Sequence, residues 1–238
     1  MKLHEIGIKK IFGRKKIQVK FNKHVEKWER TLKKMIDDQV VLAREEGKKL
    51  VEKEGDLIAY EVFHLDEREG ICCDLTLLRF GKIPVNKGGE LFSTYGHAHN
   101  KEFGECYVCL KNDVFLILTD KEKMDTKIIK MGVGDVVFIH PRYMHRLTVK
   151  NADSLVLGFV PKEAGHDYDI IKNKGFPYHI FSDGKIEFVC NEKYGVKKLI
   201  VKNSKKMKFD VIKTFLKNTE KLKDILHNPK KYKKFYSL

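Results

Sequence analysis

No stretch of this chain approaches the roughly 20 consecutive apolar residues of a membrane-spanning helix. The first residues, Met1-Lys-Leu-His-Glu5, have no apolar core of the kind a secretory leader needs. Cysteine is sparse and unpatterned: Cys72, Cys73, Cys106, Cys109 and Cys190 make an odd count without framework spacing. No repeat of solenoid period is visible. Together these absences predict a soluble, cytoplasmic chain with reduced, buried thiols rather than a secreted or membrane protein. Cys106-x-x-Cys109 has the spacing of a redox or zinc pair. On a strand, however, positions three apart point to opposite faces, which argues against either use.

What is present is globular. Of the 238 residues, 42% are hydrophobic and 34% charged, which excludes a disordered chain. The length allows one large β domain with appendages, or two small domains, with a core of useful size. The net charge of +15 raises the question of a nucleic-acid partner. Its distribution argues against one. From Lys205 to Leu238 eleven lysines face only Asp210, Glu220 and Asp224, so more than half of the surplus sits in a tail. The remainder is mildly basic, which suits a small anionic substrate.

Hydrophobic periodicity organises the chain. Asn22 to about Ile36 is predicted to be an amphipathic helix, with Val25, Trp28, Leu32, Met35 and Ile36 near i, i+3, i+4 spacing. From about Leu57 the pattern changes to short strands broken by turns: Leu57–Leu65, Cys72–Leu78, Leu91–His99, Glu105–Leu110, Val114–Thr119, Lys127–Met131, Val136–Ile139, Arg146–Val149, Ser154–Val160, Tyr178–Ser182 and Ile186–Val189. Asp183-Gly184 is a hairpin-turn dipeptide. So many short strands predict an all-β sandwich or closed barrel around one pocket. From Phe209 a helical stripe of Val211, Ile212, Phe215, Leu216, Leu222, Ile225 and Leu226 returns, ended by Pro229. Its lysines lie largely off the stripe, as expected for a helix docked on the barrel or on a neighbouring subunit.

The chemistry resides in Gly96-His97-Ala98-His99, Glu105-Cys-Tyr107 and Pro141-Arg-Tyr-Met-His145-Arg146. On a strand His97 and His99 share a face, with Cβ atoms roughly 7 Å apart. Glu105 opens one predicted strand and His145 follows another. Three imidazoles and a carboxylate make a mixed N/O donor set suited to Fe²⁺, Mn²⁺, Ni²⁺ or Zn²⁺. One divalent ion per chain is expected, with Fe²⁺ the first choice.

These strings resemble the two metal motifs of the cupin superfamily. The downstream run Val160-Pro-Lys-Glu-Ala164-Gly-His166-Asp-Tyr168, with Ile170-Ile171 and Lys174-Gly-Phe176, narrows the resemblance to the cupin-type glucose-6-phosphate isomerases of archaea. It covers roughly residues 20–194. It implies an all-β cupin (a double-stranded β-helix, or jelly-roll barrel) over 1–194, carrying the N-terminal helical segment, and a lysine-rich helical extension over 195–238. It implies a metal-dependent aldose–ketose isomerase of glycolysis and gluconeogenesis, with a sugar-phosphate substrate and a homodimeric assembly. Nucleic acid and membrane are not expected partners. The resemblance assigns His97, His99, Glu105 and His145 to the metal, Glu105, Tyr107 and His166 to catalysis, and Thr76, Thr94, Gly96 and Tyr168 to the substrate. It departs from the family pattern at Val160, where a tyrosine is usual, at Asn112, where a glycine is usual, and around Arg142, here read as a replacement phosphate donor. Two other readings fit the same donors: a metal-dependent cupin oxygenase, and a non-catalytic sugar-phosphate-binding cupin.

Overall fold

The computed structural model describes residues 3–86 and 88–236. Strands β1 (Ile8–Phe12) and β2 (Gln18–Phe21) form an N-terminal hairpin, and β3 (Glu26–Thr31) runs directly into α1 (Leu32–Asp37) and α2 (Arg44–Glu54). The sheet strands follow: β4 (Ile58–Arg68), β5 (Ile71–Leu78), β6 (Lys82–Val85), β7 (Gly88–Leu91), β8 (Glu105–Lys111), β9 (Val114–Asp120) and β10 (Thr126–Met131). Next come β11 (Val136–Ile139), β12 (Tyr143–Val149), β13 (Ser154–Pro161), β14 (Tyr178–Ser182), β15 (Ile186–Cys190) and β16 (Leu199–Asn203). Helices α3 (Val211–Lys217) and α4 (Thr219–His227) end the fold. None of these helices is long and apolar enough to cross a membrane.

A six-stranded sheet, ordered β11-β8-β13-β5-β4-β3, supplies one wall of the fold. Two four-stranded sheets, β12-β9-β10-β16 and β15-β14-β7-β6, supply the rest. The expected all-β architecture is present, but the sheets remain open: no ladder among the described residues closes them into a barrel. Single bridges, Ser93 with Thr148 and His97 with His145, stitch the segment after β7 to β12 instead.

The central strands β8 and β13 of the large sheet are buried on both faces, which is why they read as nearly continuous hydrophobic runs. On β5, Cys73, Leu75 and Leu77 belong to an outer apolar cluster, whereas Asp74 and Thr76 face inward to a cavity. On β8, Cys106, Val108 and Leu110 point outward, and Tyr107 and Cys109 join the inner core. Cys106 and Cys109 thus lie on opposite faces, and all five cysteines are free. Burial pushes the Cys109 thiol up to about 12, so it stays protonated and inert.

Two helix expectations require correction. The segment read as a helix from Asn22 to Ile36 is β3 followed by α1. Antiparallel pairing with β4, Trp28 opposite Val62 and Arg30 opposite Tyr60, overrides the local periodicity, and the Thr31 hydroxyl accepts from Lys34 N to start the helix. The single C-terminal helix is two short ones. Asn218 ends α3 and its side chain caps α4 by accepting from Lys221 N. The periodicity reading also misses the β1–β2 hairpin, α2, the β6–β7 pair, whose glycines read as loop, and β16, which pairs parallel to β10.

The C-terminal segment covers the outer face of the large sheet. Phe215 is fully buried and its ring lies 5.1 Å from that of Phe159. Gly104 N donates to Leu226 O at 2.7 Å, next to the start of β8. A side chain at Gly104 would collide with the Tyr236 ring. The lysine-rich tail is therefore a cover for apolar surface. Replacing Phe215 by Ala should cost about 3–5 kcal/mol of stability, read as a lower midpoint in urea unfolding with an unchanged slope.

Candidate metal centre

Glu105 opens β8, where strand alternation turns its side chain inward with Tyr107. His145 lies on β12, and His97 lies opposite it. His97 N donates to His145 O at 3.1 Å, and His145 N donates to His97 O at 2.9 Å. Residues paired directly across two chains share a face, which brings their rings to 4.4 Å. His97 and His99 were expected on one regular strand. The segment instead leaves the ladder after Leu91 and follows β12 through isolated bridges. The two rings still converge, with centroids 5.5 Å apart.

The geometry centres on a single oxygen. Glu105 Oε2 lies 2.9 Å from His145 Nε2, 3.2 Å from His99 Nε2 and 3.7 Å from His97 Nε2. The donor atoms of all four residues lie within 4.8 Å of one another. His99 Nδ1 donates to the Phe103 carbonyl at 2.7 Å. A carbonyl only accepts, so in the neutral ring Nε2 carries a lone pair, and that lone pair faces a carboxylate. His97 Nε2 and both nitrogens of His145 are buried without a hydrogen bond. Buried acceptors pointed at one another are costly unless a cation sits between them. The four residues thus fit a divalent ion.

The electrostatics agree. Burial, then the neighbouring His145, push His97 down to about 3, keeping its ring neutral. Burial alone would raise Glu105, but the surrounding imidazoles hold it well below the usual carboxylate range. A neutral His97 imidazole and an ionised Glu105 carboxylate suit metal ligation.

The cavity above this cluster gathers the other residues assigned to catalysis and substrate: Thr76, Thr94, Gly96, Tyr107, His166 and Tyr168 all line it. The His166 ring stands edge-on to that of His97 at 4.4 Å, and Tyr168 lies 5.9 Å from His97. Thr94 Oγ1 accepts from Leu147 N, leaving its O–H to donate into the cavity. Arg142 is a correction. It bonds to Asp120 and does not line the cavity, because the turn before β12 points it outward. Arg30 stands behind the cavity wall, set over the rings of Tyr95 at 5.2 Å and Tyr168 at 5.9 Å and interacting with Tyr60.

Sequence reasoning missed Trp28, Tyr60 and Asp74 as lining residues. Trp28 was hidden by the helix assignment. Asp74 carried a usable signal: it alternates with Thr76 on β5 and must share its face.

Gly96 holds the close approach of this loop. Its φ is +85°, and an added Cβ would meet Phe176 at 2.6 Å, Arg146 Cβ at 2.9 Å and the His145 carbonyl at 2.9 Å. Gly96→Ala should therefore displace His97, weakening the binding of a titrated divalent ion at least about tenfold and lowering thermal stability by about 1–3 kcal/mol. Calorimetric metal titration and thermal unfolding read the two effects separately.

A family model described as Glucose-6-phosphate isomerase (GPI) matches residues 32–197. Relatives named Glucose-6-phosphate isomerase include one from Thermococcus litoralis, 31% identical over 71% of this chain and 90% of that protein. A Pyrococcus furiosus protein is 38% identical over 62% of this chain and 78% of its own length. One from Pyrococcus abyssi is 32% identical over 75% and 95%. Among solved structures, an oxalate decarboxylase mutant of Bacillus subtilis covers 45% of this chain and 26% of its own at 14% identity and TM-score 0.35. A cupin superfamily protein of Desulfitobacterium hafniense covers 43% and 76% at 12% identity and TM-score 0.32. The match to the family model spans more than half of the sequence, and the chain belongs to the glucose-6-phosphate isomerase family.

Proposed function

We propose that this protein interconverts glucose 6-phosphate and fructose 6-phosphate, using one divalent ion held by His97, His99, Glu105 and His145. The observation that carries the reading is the convergence of three imidazole nitrogens on one carboxylate oxygen at the floor of a cavity whose lining also offers hydroxyls and aromatic rings. Membership of the isomerase family supports it.

The reaction moves one hydrogen between C1 and C2, so both oxygens must carry developing charge. A divalent cation supplies Lewis-acid stabilisation of those oxygens when bound. Glu105 is the candidate base that takes the C2 proton and returns it to C1. Its position among three imidazoles favours the ionised form. A carboxylate held tightly by a cation would be a weak base, so base action by Glu105 would call for only a loose hold on the ion. Burial and the Glu105 charge keep the Tyr107 phenol protonated and able to donate. Burial pushes His166 down, so it meets substrate as a neutral imidazole with one donor and one acceptor. Thr76, Thr94, the backbone of Gly96 and Tyr168 hold the phosphate, with Arg30 behind Tyr60 and Tyr168 as the supporting charge. This anchor fixes the reacting carbons over the donor cluster.

The same reading takes Fe²⁺ as the preferred metal and places the protein in the cytoplasm, in glycolysis and gluconeogenesis, as a homodimer. It also takes residues 195–238 as a buttress outside the chemistry, in keeping with a cavity whose lining ends at Tyr168.

A coupled assay with fructose 6-phosphate, before and after chelation and with Fe²⁺, Ni²⁺, Mn²⁺ and Zn²⁺ restored separately, tests the assignment. Turnover lost on chelation and regained with metal is expected. Oxygen uptake in place of isomerisation would move the assignment to an oxygenase. His99→Ala should lose metal and turnover together; full activity in the metal-free variant would eliminate the metal route. Glu105→Gln should retain part of the metal affinity and lower kcat about 10²–10⁴-fold, and a kcat near wild type would remove Glu105 as the base.

A further inference from the structure

The proposed mechanism leaves one cavity-lining carboxylate unused. Asp74 faces the cavity from β5, and its Oδ1 is bonded to His64 Nδ1 at 2.8 Å. No hydrogen bond reaches its other oxygen among the described residues. Strand register places it. Tyr107, Gly158, Asp74 and His64 form one row across β8, β13, β5 and β4. Thr76, Val62 and Trp28 lie in the next row, and Tyr60 with Arg30 in the row after that. Two rows along a strand are roughly 14 Å. Gly158 has no side chain, which lets the Tyr107 ring and Glu105 Oε1 lie over it, 3.3 and 3.4 Å from where a Cβ would stand.

The cavity is therefore polarised along the strands. Asp74 puts a carboxylate beside the donor cluster at one end, and Arg30 stands behind the Tyr168 ring at the other. No lysine or arginine lines the wall between them. A phosphate dianion is repelled by Asp74 and attracted towards Arg30. Burial, opposed by the His64 bond and reinforced by Glu105, raises the Asp74 carboxyl above its ordinary value, and the pair with His64 keeps it oriented.

We propose that Asp74 is a specificity-determining residue that accepts hydrogen bonds from the hydroxyls of a polyol phosphate at the end away from its phosphate, and that His64 positions it. The proposal rests on the sugar-phosphate reading and adds the direction in which the substrate lies. An acceptor-only carboxylate suits vicinal hydroxyls, each of which offers one O–H. A ligand too short to span the rows never reaches Asp74.

Calorimetry on the full-length protein, with sorbitol 6-phosphate as the long probe and glycerol 3-phosphate as the short one, tests this. Asp74→Ala should weaken sorbitol 6-phosphate about 10- to 100-fold and leave glycerol 3-phosphate within about twofold of wild type. The near-isosteric Asp74→Asn guards against misfolding and should give a smaller loss with the same selectivity. His64→Gln should fall between these variants and wild type. Unchanged sorbitol 6-phosphate affinity in Asp74→Ala, or equal losses for both probes, overturns the proposal. Wild-type protein that binds sorbitol 6-phosphate through Asp74 yet shows no turnover with any metal defeats the isomerase reading alone. Normal turnover with sorbitol 6-phosphate binding indifferent to Asp74 defeats this inference alone.

Discussion

The structure turns on one electrostatic conflict: three imidazole nitrogens and a carboxylate oxygen held within 4.8 Å of one another in a buried place. In an apolar interior, facing lone pairs are costly, and removing one group would leave the others unsatisfied. The fold sustains the arrangement by holding each ligand from behind. His97 and His145 lock each other through reciprocal backbone bonds, and His99 is oriented by the Phe103 carbonyl. Glu105 is fixed by a strand that is buried on both faces. Such preorganisation is what a catalytic ion needs, because the cost of assembling its ligands has been met in folding.

The support extends outward. Arg146, next to His145, is buried with its guanidinium against His179 and the Phe176 ring. His179 in turn bonds Glu90, whose other oxygen accepts from Leu42 N and Ala43 N at the start of the α2 region. The helical elements after β3 are thus tied to β12 by a buried polar network. On the opposite side, α4 and Tyr236 clamp Gly104 immediately before Glu105. The C-terminal lysine surplus is explained by the same arrangement. One face of each short helix is committed to the sheet, and the other is left for solvated charge.

The candidate metal ligands were legible because metal chemistry demands rare side chains in fixed order. The supporting geometry was less so. Asn112 illustrates a departure that sequence could flag but not explain: its φ is +53°, a left-handed position where asparagine substitutes for glycine at little cost. Val160 shows the reverse. It was noted as a missing tyrosine, but only the sheet register reveals that its neighbours Gly158 and Asp74 reshape the same wall. Trp28 reads as helical because its spacing from Val25 and Leu32 imitates a helix. Pairing with β4, a contact made by residues about thirty positions away, decided otherwise.

The sequence by itself determined the donor set, the β-rich core and the family, because alternation of side chains and the identity of metal ligands are local and chemical properties. Tertiary structure alone decided that the sheets stay open, that the lysine-rich tail covers the outer face, and that Arg142 pairs with Asp120 instead of facing the cavity. Each of those depends on which distant strands pair and which faces remain uncovered. Sequence periodicity reports that a residue must be buried, but not against what.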